Sequence, residues 1–79
     1  MDQILQKLKD AFPGAKIELS NTSSMHQSHN AKGMHLKTVI QYEGFNGKSL
    51  LEQHRMVQKT LEIELGDKIH ALSIKTIPI

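Results

Sequence analysis

Hydrophobic residues near the start of the chain recur at the spacing of an α-helix. Pro13 and Gly14 follow, and they end this predicted helix because proline cannot continue a helix and disfavours helical backbone at the preceding residue. Apolar and charged residues alternate over positions 15–19, which predicts a short half-buried strand. Positions 20–33 are polar without a period, and they predict a long loop. The residues of the helical stripe are Ile4, Leu5, Leu8, Ala11 and Phe12.

Alternation returns at positions 35–42 and predicts a second strand. Gly44 and Gly47 mark the turn that follows it. Because side chains alternate between the faces of a strand, Leu36, Thr38, Ile40 and Tyr42 are predicted on one face, with His35, Lys37, Val39 and Gln41 on the other.

A second helix is predicted to begin at Ser49, because Ser49 and Glu52 have the spacing of a capping box. Gly66 is predicted to end it, and alternation over positions 69–77 predicts a third strand. The predicted buried stripe of this helix contains Leu50, His54, Val57, Leu61 and Leu65.

These elements predict one α+β domain over residues 1–79 with the order α-β-β-α-β. A strand, a helical crossover and a strand in one sheet imply a parallel pair. We therefore expect a three-stranded mixed sheet with both helices packed on one face.

Size and composition narrow the function classes. A chain of 79 residues buries only about 60% of its unfolded surface, which disfavours a self-contained enzyme. There is no cysteine, and the net charge is +2 with no run of basic residues. The amphipathic N-terminus does not resemble a signal peptide, and no apolar run is long enough to span a membrane. A soluble cytoplasmic protein is the expectation.

Two nucleotide or nucleic-acid motifs match only in part. Gly47-Lys48-Ser49 lacks the earlier glycine of a P-loop, because Tyr42 occupies that position. The GxxG pattern of Gly44 to Gly47 follows a strand, whereas in a KH domain it joins two helices. A solvated lysine, a helix cap and a tight turn explain these residues better.

The five histidines are the main candidates for chemistry. His54 lies on the predicted apolar stripe, which favours a partly buried structural role. His26 and His29 lie in the polar loop and are either solvent-exposed or metal ligands. His35 and His70 begin strands predicted to be neighbours. His70 shares a predicted face with Leu72 and Ile74, so it is either an edge-of-core residue or, with His35 or His26, half of a metal site that a partner completes.

Four segments of the second half of the chain carry a combined signature: Phe45-Asn46-Gly47-Lys48-Ser49-Leu50-Leu51, His54-Arg55-Met56-Val57, Glu64-Leu65 and Ile69-His70-Ala71-Leu72-Ser73-Ile74. Phe12-Pro13 and the spacing of Asn21, His26 and His35 also fit. Together they resemble the BolA family over nearly the whole chain. The resemblance implies an α-β-β-α-β fold of class II KH-like topology without the function of the KH GxxG.

The resemblance implies a non-enzymatic protein that pairs with a monothiol glutaredoxin in iron–sulfur trafficking or iron and redox sensing. The two proteins would share a [2Fe–2S] cluster, with the glutaredoxin cysteine and a glutathione thiol on one side. The invariant histidine of the family falls on His70, and the second ligand falls on His26, with His35 as the alternative. No cofactor is expected in the isolated chain, which would be a monomer or a weak homodimer.

Some members of the family are DNA-binding transcriptional regulators, which is the alternative function. Lys48, Arg55, Lys59 and Lys68 could then contact phosphates. Gln53, where the family often has arginine, removes one positive charge from that surface. A third hypothesis is a zinc or nickel site formed by His26, His29 and His35 alone.

Overall fold

A computed structural model of the chain describes residues 2–21 and 34–79. The predicted order α-β-β-α-β is confirmed, with a short third α-helix between the second helix and the last strand. No helix in these two ranges is long and apolar enough to cross a membrane. The elements are α1 (Asp2–Ala11), β1 (Lys16–Asn21), β2 (Met34–Tyr42), a 3₁₀ turn (Glu43–Phe45), α2 (Leu50–Thr60), α3 (Glu62–Leu65) and β3 (Ile69–Pro78).

The sheet has three strands in the order β1-β2-β3, so β2 is central. β1 runs antiparallel to β2, with Lys16 opposite Gln41 and Asn21 opposite Leu36. β3 runs parallel to β2 and ends with Pro78 opposite Tyr42. The predicted mixed sheet with a parallel pair across the helical crossover is therefore confirmed. β1 extends two residues into the predicted loop, because Ser20 and Asn21 still pair with β2.

The core lies on one face of the sheet. Leu36, Thr38 and Ile40 of β2 are buried, as their alternation predicts. Both helices cover this face, since Leu8 of α1 and Val57 of α2 belong to the same core cluster. The nine buried hydrophobic residues are Ile4, Leu8, Phe12, Leu36, Ile40, Phe45, Val57, Leu61 and Ile69.

The three aromatic rings of the chain pack against one another beside this core. Phe12 contacts Tyr42 at a centroid distance of 5.3 Å and Phe45 at 5.5 Å. Tyr42 and Phe45 meet edge to face at 5.3 Å. Gly44 permits this arrangement, because a Cβ there would lie 2.4 Å from the Tyr42 ring. The aromatic side chains therefore close one end of the domain.

The predicted cap of α2 is confirmed, whereas its predicted buried stripe is partly wrong. Ser49 Oγ accepts a hydrogen bond from the Glu52 amide at 3.1 Å. Leu50 is 64% exposed, and Gln53, at 5% exposure, occupies the first buried position instead. The predicted single helix to Gly66 is also wrong, because buried Leu61 leaves helical geometry and separates α2 from α3. His54 is half-buried.

Gln53 joins three parts of the structure. Its Nε2 donates to the Lys48 carbonyl at 2.8 Å and to the Phe45 carbonyl at 3.4 Å. Its Oε1 accepts from the hydroxyl of Thr76 in β3. One buried amide thus connects the turn after β2, the start of α2 and the edge strand. This role of Gln53 could not be predicted from the sequence pattern, because a glutamine on a helix is ordinarily solvated.

Replacing Gln53 with alanine should destabilise the protein by about 1–3 kcal/mol, because the Lys48 carbonyl and the Thr76 hydroxyl lose their part-buried hydrogen bonds to this side chain. Urea denaturation of Gln53→Ala measures the loss. Gln58→Ala is the matched control, since Gln58 lies on the same helix and is exposed. Equal free energies of unfolding for the two variants would contradict the proposed role of the buried amide.

A single ion pair connects the first and third helices. Lys7 Nζ lies 2.7 Å from Glu64 Oε2 and 3.0 Å from Oε1. The hydrogen bond from Lys7 is the main reason that the pKa of Glu64 falls below its ordinary value of 4.5. Lys7 is 42% exposed, so solvent screening limits the contribution of this pair to below about 1 kcal/mol.

The Glu64→Gln variant removes this ion pair, so the difference in unfolding free energy between it and the wild type should depend on pH. A carboxylate with a depressed pKa stabilises the folded state above its unfolded pKa, and this stability is lost as the pH falls through the folded pKa. We expect the wild type to be slightly more stable than Glu64→Gln at about pH 6, and we expect the two proteins to be equally stable at about pH 3. Urea denaturation at both pH values checks this, with exposed Glu62→Gln as the control. A pH-independent difference would refute the assignment.

Candidate functional site

Two histidines meet where the parallel strands begin. His35 lies at the start of β2 and His70 at the start of β3. Their ring centroids are 5.1 Å apart, with an interplanar angle of 42°. Parallel strands bring their starting residues to the same edge of a sheet, which is why residues 35 positions apart in the chain become neighbours.

An irregularity in the parallel pairing of β2 with β3 sets the direction of the His70 side chain. Met34 pairs with Ile69, but His35 pairs with Ala71, so His70 is an extra residue in β3. Such bulges are rare in parallel pairs and are over-represented next to active sites, where they redirect a side chain. The shift also lets both Ile69 and Leu72 face the core, although strict alternation would put them on opposite faces.

The predicted common face of His70, Leu72 and Ile74 is therefore wrong. Leu72 and Ile74 pack against the core, whereas His70 is exposed and lies beside His35. Simple alternation across positions 69–77 fails because the bulge adds one residue after Ile69. The edge-of-core interpretation of His70 fails for the same reason.

Contacts just before the extra residue support the bulge. The Met34 amide donates to the Lys68 carbonyl at 2.8 Å, two residues before His70. Ile69 is buried in the core cluster and anchors the strand at the adjacent position. His70 thus projects from a supported backbone, and both imidazoles remain partly or fully accessible.

The separation of the two rings fits coordination of one metal. Metal–nitrogen distances of about 2.0–2.1 Å at a tetrahedral angle put two ligand imidazole centroids about 5 Å apart. Residues 2–21 and 34–79 contain no cluster of three or more histidine, cysteine, aspartate or glutamate side chains suited to a metal. In this part of the chain, the site consists of the histidine pair.

The other predicted ligands, His26 and His29, lie outside the described residues. The structure therefore does not test their roles, and the predicted zinc or nickel site of His26, His29 and His35 stays a prediction. Of the predicted metal ligands, the structure brings together His35 and His70.

The predicted phosphate contacts are all exposed, on the helical side of the domain. Arg55 and Lys59 line a shallow groove that Gln58, Glu62 and Leu65 complete. The segment from Lys48 to Lys68 has four basic residues, but it also has the four acidic residues Glu52, Glu62, Glu64 and Asp67, so its side chains sum to zero charge. The exposed basic residues are Lys48, Arg55, Lys59 and Lys68.

Lysines on the other face of the sheet were not among the predicted site residues. Lys37 and Lys75 project from that face, as does Lys16, because each alternates with core positions. The alternation of the strands placed these lysines on the open face. Lysines on a strand surface are ordinarily solvated charges, so the alternation alone did not predict a site there.

Comparison with known proteins supplies the family. Residues 8–78 match the family model described as BolA-like protein. The chain is 37% identical over 75 residues to the DNA-binding transcriptional regulator BolA of Vibrio cholerae, covering 95% of this chain and 71% of that protein. It is 35% identical to human BolA-like protein 1, with coverage of 91% of this chain and 53% of that protein.

Solved structures agree with this assignment. The BolA domain of SufE1 from Arabidopsis thaliana matches with a TM-score of 0.86 and 31% identity, over 98% of this chain and 88% of that one. BolA1 from Arabidopsis thaliana matches with a TM-score of 0.84 and 27% identity, over 98% and 88%. The sequence resemblance is confirmed, and the chain belongs to the BolA-like protein family.

Proposed function

We propose that this protein is a non-enzymatic accessory protein that co-ligates a [2Fe–2S] cluster with a monothiol glutaredoxin. Its role would lie in iron–sulfur trafficking or in iron and redox sensing. The observation that carries the proposal is the approach of the His35 and His70 rings to 5.1 Å at an accessible edge of the sheet.

His70 is the first ligand of this proposal, because the bulge turns it out of the core. His35 is the second ligand that the ring separation supports, and His26 is the alternative from the loop. Two imidazoles leave a four-coordinate metal incomplete. The active-site cysteine of the glutaredoxin and a glutathione thiol would supply the remaining ligands, since this chain has no cysteine.

The bound cluster would exchange electrons, and histidine ligation would raise its reduction potential relative to ligation by thiolates alone. The residues of this chain supply neutral nitrogen donors and hold them at a fixed spacing. Membership of the BolA-like family supports the proposal. The BolA domain of SufE1 from Arabidopsis thaliana shows that a similar fold also occurs as a domain of another protein.

Titration of a [2Fe–2S]-loaded monothiol glutaredoxin with this protein tests the proposal, with visible absorption and circular dichroism as readouts. We expect a saturating spectral change at one chain per glutaredoxin monomer. His70→Ala should abolish that change while the far-ultraviolet spectrum of the fold stays intact, because an exposed side chain is removed.

The same titration identifies the second ligand. His35→Ala should alter the spectrum if His35 coordinates, whereas His26→Ala should do so if the loop histidine coordinates. His54→Gln is the control, since His54 lies on α2 away from the strand starts. A spectral change that His70→Ala leaves untouched would refute the ligand assignment.

The second candidate function is DNA binding in transcriptional regulation. The names of the relatives favour it, since those of Vibrio cholerae and Escherichia coli are described as DNA-binding transcriptional regulators. This function predicts a salt-dependent shift of duplex DNA that is weakened when Lys48, Arg55 and Lys59 are changed to glutamine, because fewer counterions are released. An electrophoretic shift assay at two salt concentrations measures this. Binding unaffected by the triple variant would exclude the helical surface.

A further inference from the structure

On the face of the sheet opposite the helices, side chains from the three strands form regular rows. Ser20, Lys37 and Ser73 lie side by side across the three strands. The next row contains Glu18, Val39 and Lys75, and the last contains Lys16, Gln41 and Ile77. His35 begins the same face, two residues before Lys37 and therefore about 6.6 Å away along the strand. The face is thus continuous with the histidine pair.

This face holds the positive charge of the domain. It carries three lysines and one glutamate, a sum of +2. The remaining described residues have six basic and seven acidic side chains, a sum of −1. Within residues 2–21 and 34–79, the single ion pair joins Lys7 to Glu64 on the helical side. The lysines of the sheet face are therefore available to an anionic surface.

The apolar centre of this face is typical of a protein interface. Val39 and Ile77 are half-buried, and they line a shallow groove with Lys16, Glu18 and Gln41. Protein interfaces commonly surround an apolar centre with a polar and charged rim. The sheet face has this arrangement, with the lysines at its rim.

The composition of the face disfavours two other occupants. Single-stranded nucleic acids bind sheets through stacking on aromatic rings, but all three aromatic residues of the chain pack together beside the core. Duplex DNA binding draws its affinity from several phosphate contacts, and this face offers three lysines together with the opposing charge of Glu18. A second copy of the same face would bring like charges together.

We propose that the open face of the sheet, with Val39 at its centre and Lys37 and Lys75 beside it, docks against an acidic surface of the protein that supplies the cluster thiolates. This inference rests on the proposed function, because it assigns the face to the same partner. A partner that reaches His35 and His70 with its thiolates lies next to Lys37. Complementary charge on both sides would accelerate association and orient the partner toward the histidine pair.

Affinity measurements with [2Fe–2S]-loaded monothiol glutaredoxin and glutathione test the inference. The Lys37→Gln/Lys75→Gln variant should weaken binding by about five- to tenfold at low salt, and by less at about 0.3 M salt. Its spectrum at saturation should equal that of wild type, because the ligands are unchanged. Lys9→Gln is the control, since Lys9 is exposed on α1, and its affinity should equal that of wild type.

Unchanged affinity and unchanged salt dependence in the double variant would overturn the docking assignment, even where the spectral change that depends on His70 persists. Conversely, binding that depends on the lysines without any spectral change that depends on His70 would refute the shared cluster and retain the docking face. If the double variant loses affinity for duplex DNA but keeps its affinity for glutaredoxin, the face is a nucleic-acid surface and the proposal is overturned.

Discussion

The parallel pairing of β2 with β3 is the constraint on which the rest of the structure depends. It requires a crossover, which α2 and α3 provide while they cover the core face of the sheet. It brings the starts of the two strands to one edge, where His35 and His70 meet. At the opposite end, the Gln53 side chain bonds to Thr76 and fixes the crossover against the edge strand. The core and the candidate site therefore follow from one pairing.

The bulge at His70 resolves a conflict within that pairing. Ile69 is required in the core, and so are Leu72 and Ile74, but a regular strand cannot turn all three to one face. One extra residue changes the alternation, and that residue is the exposed histidine. The burial of Ile69 and the exposure of His70 are thus two consequences of the same register shift. A substitution that disturbed Ile69 would therefore also shift His70, although it leaves both histidines unchanged.

Patterns with a regular period could be predicted from the sequence. The alternation of β2 and the Ser49 cap depend on local spacing, and the structure confirms them. The predicted stripe of α1 also depends on local spacing and is confirmed at Ile4, Leu8 and Phe12, but Ala11 is exposed. The irregular features could not be predicted this way. The bulge depends on pairing between distant segments, and the burial of Gln53 depends on carbonyls that the turn at Phe45 and Lys48 presents. The parallel topology predicts that His35 and His70 begin neighbouring strands. It does not predict the separation of their rings, since that separation depends on the bulge.

One face of the sheet forms the core and stabilises the domain, whereas the other face is left for recognition. In a domain this small, one face must be covered by both helices to form any core, which leaves the other face in contact with solvent. Within residues 2–21 and 34–79, no second layer covers that open face, so these residues do not enclose a ligand there. A site formed there is necessarily at the surface, and a surface site with two imidazoles needs ligands from elsewhere to complete a metal. The thin architecture therefore supports the proposed shared centre over an enclosed one, and it leaves the lysines and His35 on the same open face.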